Sequence, residues 1–268
     1  IRDRICRIIY QEYIYVYTDF YQILYIFFGG AMKTYLIHLV RNGLTTGNTQ
    51  GRYIGHTDLE LSLDGEKQLK RLKEEMVYPP VEAVFSSPMK RCTKTAEILY
   101  PDQKPIILRD LIECNFGEFE GKTAQELENS PLFPRWLAGE DIEPPFGESN
   151  REFAARVCGC FEKIIEGVMK TGTQNTAVFT HGGVIMTLLA AYGLPEMPMH
   201  QWMTPNGCGF TIRVTPSVWM RGRKFEVIGE FPFFPENEEE NYSDYEDDFS
   251  GSFFAIDLED EEEKEDKN

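Results

Sequence analysis

From Tyr35 to Glu230 the chain switches repeatedly between short apolar runs of strand length and longer segments with apolar residues at helical spacing. This alternation constrains the fold more than any other feature, because strand–helix repeats close into a mostly parallel sheet with helices on both faces. Strands are expected at Tyr35–Val40, Val81–Ser86, Pro105–Arg109 and Ala177–Thr180, with Gly207–Thr215 and Arg223–Glu230 as final antiparallel strands. Helices are expected at Asp64–Met76, Pro88–Tyr100 (proline in the first turn), Thr123–Asn129, Leu132–Ala138, Asn150–Lys170 and Gly183–Tyr192. In Asn150–Lys170 the residues Phe153, Val157, Phe161, Ile164 and Ile165 share one face. The expectation is one α/β domain over residues 32–235, a three-layer α/β/α sandwich with a mostly parallel central sheet.

The two ends differ from this body. Residues 1–31 are crowded with Ile, Tyr and Phe, without helical spacing or clean alternation. Their longest uncharged run, Phe20–Met32, is shorter than the about 20 residues a bilayer span needs. Glu12 and Asp19 fit a signal peptide badly. Gly29-Gly30 would be encoded by codons able to hold a ribosome-binding sequence, so the functional chain is expected to begin at Met32, with 1–31 as leader or disordered extension. At the other end, Glu236–Asn268 holds sixteen Asp/Glu against Lys264 and Lys267, a balance of −14 out of the chain's −17. That tail is expected to be disordered, and Phe249, Phe253, Phe254 and Ile256 within it suggest a docking motif for a protein partner.

The body therefore carries only −3, and a nearly neutral body with an acidic tail argues against nucleic-acid binding. No membrane association is expected. The six cysteines are scattered without a CxxC pair, and the histidines (His38, His56, His181, His200) show no zinc spacing. A reduced, cytoplasmic setting is the simpler reading, with no metal and no cofactor.

Polar groups gather where strands are expected to end. Arg41-Asn42-Gly43, with Asn48 downstream, follows the first strand, and such carboxyl ends are where open α/β sheets place ligands. Ser86-Ser87-Pro88-Met89-Lys90-Arg91 and Thr180-His181-Gly182-Gly183 each run from strand into helix, where free backbone donors favour anions. Leu111–Gly117 adds Glu113, a carboxyl able to protonate a leaving oxygen. Two arginines, a histidine, helix N-termini and an acid together suggest phosphoryl transfer.

These segments, VRNGLTTGN, SSPMKRCTKTA, LIECNFGEFEG and FTHGGV, together with GRYIGHTDLELSLDG and GESNREFAARV, resemble the histidine phosphatase (phosphoglycerate mutase-like) superfamily in order and spacing over Lys33–Glu230. The similarity is greatest to its ribazole phosphatase and broad-specificity phosphatase branch. The resemblance implies a phosphoglycerate mutase-like fold and metal-free hydrolysis of small phosphate monoesters through a phosphohistidine. It implies that Arg41, Asn48, Arg91 and His181 hold the phosphoryl oxygens, that Glu113 donates the proton, and that Arg52 touches the rest of the substrate. Trp136 and the loop Glu140–Gly147 fall where this fold carries a small cap. The implied partners are a small phosphorylated molecule or inorganic phosphate.

One position departs from the pattern. The family's nucleophilic histidine is replaced by Asn42, whose amide nitrogen has a delocalised lone pair and does not attack phosphorus. The chain is therefore expected to be impaired or inactive. The alternatives are a non-catalytic phospho-ligand-binding pseudoenzyme and phosphoglycerate mutase-type transfer. An engineered substitution, a natural pseudoenzyme and a chance variant would all produce Asn42. Of the other histidines, His38 is expected buried in its strand, His56 near the pocket mouth, and His200 in a structural turn.

Overall fold

The computed structural model describes residues 33–234. The expected leader and the acidic tail lie outside the described residues.

Strand β1 (Tyr35–Arg41) is central because it is apolar on both faces, with Ile37, Leu39 and Val40 fully buried. After β1 come α1 (Leu63–Glu75), β2 (Ala83–Ser86), α2 (Lys90–Leu99), β3 (Ile106–Ile107), α3 (Asn150–Thr171), β4 (Asn175–Thr180) and α4 (Gly182–Tyr192). The described residues close with β5 (Gly193–Leu194), β6 (Gly209–Val214), α5 (Pro216–Gly222) and β7 (Phe225–Phe231). The seven-stranded sheet has the order β3-β2-β4-β1-β6-β7-β5. Helices α3, α4 and α5 cover one face through Phe161, Ile165, Leu188 and Trp219. Leu69 of α1 and Cys92, Ala96 and Leu99 of α2 cover the other. The three-layer sandwich is as expected.

Local chemistry explains the boundaries. Helix α3, the longest, opens on a capping box in which Ser149 and Glu152 satisfy each other's backbone, and it closes on Gly172 at φ 80°. Helix α2 begins at Lys90 rather than Pro88, because Ser87 N–H still bonds the Phe179 carbonyl and keeps the chain extended. Strand β3 is two residues rather than Pro105–Arg109: Pro105 lacks a donor, and Arg109 already opens a 3₁₀ turn (Arg109–Leu111) toward Glu113. Of the final strands only β6 is antiparallel to β1; β7 is antiparallel to β6 and so runs with β1 again. Strand β5 and helix α5 were not anticipated, the first being too short to show a period. His200 lies on a 3₁₀ turn (Met199–Trp202), where its side chain is exposed. Among the described residues no helix is long and apolar enough to cross a membrane.

His38 is buried in β1 as expected, its Nδ1 2.9 Å from Thr211 Oγ1 and its Nε2 2.7 Å from Asn175 Oδ1. Its ring stacks on Phe231 at 4.7 Å. Burial pushes its pKa down to about 4, partly opposed by the Asn175 hydrogen bond. Between this value and the ordinary 6.5 the unfolded chain binds a proton that the folded chain refuses. Stability from this group is thus complete above 6.5 and lost as pH falls toward 4, a loss of about 3 kcal/mol. Urea unfolding across that window is expected to show this decline, and a His38→Gln chain is expected to flatten it.

Candidate active site

Four connections at the carboxyl ends of β1, β2 and β4 and after the Arg109 turn bring the polar residues together. Arg41 ends β1 and Asn42 follows it, the latter buried with its N–H bonded to the Thr180 carbonyl at 2.8 Å. The loop before β6 braces both: Arg41 Nη1 donates to the Thr204 carbonyl, and Asn206 Nδ2 donates to the Asn42 carbonyl at 2.8 Å. Gly43 passes so close to α1 that a Cβ there would lie 2.7 Å from Leu69 Cδ1.

Arg91, in the first turn of α2, is buried and spans two loops. Its Nη1 donates to the Thr57 carbonyl (2.8 Å), its Nη2 to the Gly55 carbonyl (2.7 Å), and its Nε lies 3.2 Å from His181 Nδ1. His181, the cap residue of α4, also places Nδ1 3.1 Å from Asn42 Oδ1 and Nε2 2.9 Å from Ser87 Oγ. Burial holds its pKa well below the ordinary value, reinforced by Arg91 and Arg41, so the ring is neutral. A neutral ring has one N–H. If Nδ1 accepts from Arg91, Nε2–H donates to Ser87 and Asn42 Oδ1 is left facing another acceptor. If Nδ1–H serves Asn42, it faces the Arg91 N–H. The amide at position 42 therefore leaves one contact of this network mismatched in either tautomer.

Glu113 approaches from the loop after the Arg109 turn. Its Oε1 accepts from Cys114 N–H and its Oε2 from Gly183 N–H, both at 2.9 Å. Gly183 allows this close approach: a Cβ there would lie 2.4 Å from Glu113 Oε1 and the carboxyl would have to shift. Burial raises the carboxyl's pKa, opposed by those two backbone bonds and by Arg91 and Arg41. The loop is braced by Arg156, which donates to the carbonyls of Asp110 and Ile112 at 2.9 Å each and pairs with Glu148 at 2.6 Å. Burial likewise lowers the Arg41 pKa, opposed by Glu113 and Cys208. The centre thus holds two guanidinium groups, a neutral imidazole and a carboxyl shifted toward its protonated form, a set suited to an oxyanion and a proton transfer.

The structure brings Arg41, Asn42, Arg91, Glu113 and His181 together, and adds Ser87, Thr204, Asn206 and Gly183. Nothing in local sequence marked Ser87 above its neighbour Ser86, and Thr204–Asn206 reach the site only through β6 pairing. Arg156 carried a signal in the GESNREFAARV segment. Asn48 sits in the one-turn helix Thr46–Thr49, where its Oδ1 caps Thr45 (N at 3.0 Å, Oγ1 at 2.9 Å). Its Nδ2 takes no part in that cap. Arg52 contacts none of the cluster: it bonds the Gly121 carbonyl, Glu126 at 2.9 Å and Gln50 at 2.9 Å. Trp136 packs among Tyr53, Phe116, Phe119 and Phe133 instead of lining the site. Among the described residues no three His, Cys, Asp or Glu side chains are grouped to hold a metal ion.

A model of the histidine phosphatase superfamily (branch 1) matches residues 37–221. The chain belongs to this superfamily. Among its superfamily relatives, the adenosylcobalamin/alpha-ribazole phosphatase of Salmonella typhimurium is 28% identical, over 66% of this chain and 89% of the relative. Phosphoserine phosphatase 1 of Hydrogenobacter thermophilus is 35% identical, over 53% of this chain and 69% of the relative. A broad-specificity phosphatase of Saccharomyces cerevisiae is 28% identical, over 57% and 68%. Among solved structures, a phosphoglycerate mutase from Thermus thermophilus superposes with a TM-score of 0.51 at 34% identity, over 67% of this chain and 92% of that one. The superfamily and its phosphatase relatives are those anticipated from the motifs, as is enzyme status at the level of the family.

Proposed function

We propose that the chain carries a small-molecule phosphomonoesterase site whose covalent step is disabled by Asn42. In this reading Arg41, Arg91, His181 and Asn48 Nδ2 receive the phosphoryl oxygens and Glu113 protonates the leaving oxygen. Among the described residues, Arg91 retains one unbonded N–H on each Nη, and the hydrogen bond of Arg41 runs through Nη1. The observation that carries the proposal is the environment of position 42. Asn42 Nδ2 donates to the Gly43 carbonyl at 2.8 Å, where an imidazole Nδ1–H would donate and leave Nε2 unprotonated. The site is thus prepared for a nucleophilic imidazole and occupied by an amide that lacks one. With histidine there, Nε2 would form a bond to phosphorus as the ester P–O bond breaks and Glu113 gives its proton to the departing alkoxide. Water would then attack phosphorus as the P–Nε2 bond breaks, giving one proton to Glu113, regenerating the neutral imidazole and releasing inorganic phosphate.

Two further readings remain distinct. A non-catalytic phospho-ligand binder is favoured by Asn42 itself, and mutase-type transfer is favoured only by kinship. Phosphate binding tests what the first two share. Titration of the full chain with inorganic phosphate, followed by thermal unfolding, is expected to give stabilisation that rises with the logarithm of phosphate concentration above Kd, about 2.7 kcal/mol at a hundredfold excess over Kd. Absence of any shift would overturn the proposal.

A further inference from the structure

A cleft of about 420 Å³, lined among others by His56, Thr57, Asn115, Glu118, Glu120 and Phe146, adjoins the cluster just described. Its walls are the loops that build that cluster: the Thr57 carbonyl receives Arg91, and Asn115 lies two residues beyond Glu113. A phosphoryl group seated between Arg41 and Arg91 would direct the remainder of its ester toward this opening.

The chemistry of the lining is one-sided. Two of its residues are glutamates and none is lysine or arginine. The Glu118 carboxylate is exposed and makes no ion pair or hydrogen bond with the described residues. Glu120 Oε1 accepts from Gly55 and Thr57 N–H at 2.9 Å each, while its Oε2 is buried with no hydrogen-bond partner.

Phe146 supplies the third element. Its residue is 86% exposed, yet its backbone is held at φ 62°, a left-handed conformation that bulky side chains rarely adopt. The conformation is imposed by a clamp between two segments. Glu118 N–H bonds the Pro145 carbonyl (2.9 Å), Asn115 Nδ2 bonds the Phe146 carbonyl (3.2 Å), and Glu148 N–H bonds the Asn115 carbonyl (3.0 Å). Gly117 and Gly147 permit the close approach: a Cβ on Gly117 would lie 2.2 Å from the Pro145 oxygen, and one on Gly147 2.5 Å from the Asn115 oxygen. Core packing does not explain an exposed aromatic residue on a backbone fixed in this way.

An aromatic side chain and an exposed carboxylate with no ion-pair partner among the described residues, Glu118, on one cleft whose lining holds no lysine or arginine attract an organic cation and repel an anion. Resting on the phosphomonoesterase reading, we infer that this cleft receives the alcohol portion of a phosphate monoester bearing an ammonium group, and disfavours esters carrying a second anionic group. The second half weighs against a bisphosphate or a phosphorylated carboxylic acid, and therefore against the mutase alternative.

The test uses the full chain and three phosphonates of equal length ending in ammonium, hydroxyl or carboxylate, titrated by calorimetry in mildly alkaline buffer beside inorganic phosphate. The ammonium compound is expected to bind about tenfold tighter than the hydroxyl compound, and the carboxylate compound weaker by a similar factor. Glu118→Gln and Phe146→Ala, both at exposed positions, are each expected to bring the ammonium-to-hydroxyl ratio toward one. If the three phosphonates bind equally, or the carboxylate binds best, the inference falls while the phosphatase reading stands. If neither phosphonates nor phosphate bind, the phosphatase reading fails and takes the inference with it.

Discussion

Asn42→His is expected to raise turnover of an aryl phosphate near neutral pH by about 10⁴- to 10⁶-fold, the range by which removal of a nucleophile lowers rates elsewhere. The argument is local. The Gly43 carbonyl 2.8 Å from Asn42 Nδ2 is in place to hold an imidazole in the tautomer whose Nε2 lone pair is free. Arg91 and His181 are already buried around the position, so little reorganisation is required of them. Replacing the amide also relieves the mismatch at His181 Nδ1, where Asn42 Oδ1 at 3.1 Å and Arg91 Nε at 3.2 Å compete. Steady-state kinetics on the two chains measure the change, and acid-labile, base-stable phosphoprotein in the variant identifies the phosphohistidine. A silent variant that still binds phosphate would favour the non-catalytic binder. Fast turnover by the Asn42 chain would show that another group attacks and would remove the proposed mechanism.

Glu113→Gln, introduced into the Asn42→His chain, is expected to lower kcat/KM for an alkyl phosphate, which reports the steps up to the phosphohistidine and not the shared hydrolysis that follows, by about 10²- to 10⁴-fold, the usual contribution of a general acid. An aryl phosphate with a good leaving group is expected to lose far less, because a phenoxide departs without a proton. This leaving-group dependence separates proton donation from a structural effect, which would slow both substrates alike. Glutamine fills the same volume but points an amide N–H at one of the two backbone donors, Cys114 N or Gly183 N, each now 2.9 Å from a carboxyl oxygen. A small local cost is therefore built into the variant, and the ratio between substrates is the quantity to read. Equal losses on both esters would remove Glu113 from the proton-transfer role.

Sequence carried the residues of the centre further than it carried their neighbours. Arg41, Asn42, Arg91, Glu113 and His181 were legible because each lies at an expected strand end or helix start, where backbone geometry forces exposure of polar groups. Arg52 was not legible in the same way. A guanidinium on a flexible stem goes to whichever acceptors the fold presents, and here these are Glu126 and the Gly121 carbonyl. Asn48 lies in the turn downstream of β1, but whether its amide caps that turn or faces a ligand depends on a rotamer, and its oxygen caps Thr45. The proline at 88 suggested an early start for α2, yet pairing of Ser87 with Phe179 across the sheet decided otherwise.

By itself the sequence determined the layer architecture, the direction of β1, β2 and β4, and the set of chemical groups at their carboxyl ends. These follow from hydrophobic period and chain connectivity, which are local properties with only a few ways of closing. Tertiary structure alone decided which donors remain unbonded among the described residues, which groups compete for His181 Nδ1, and that Phe146, Glu118 and Glu120 line one cleft. Those outcomes depend on contacts between segments distant in the chain, Asn115 with Phe146 and Asn42 with His181 among them. Burial and hydrogen-bond pairing at such contacts are set by the sum of all packing interactions, and no window of sequence contains them.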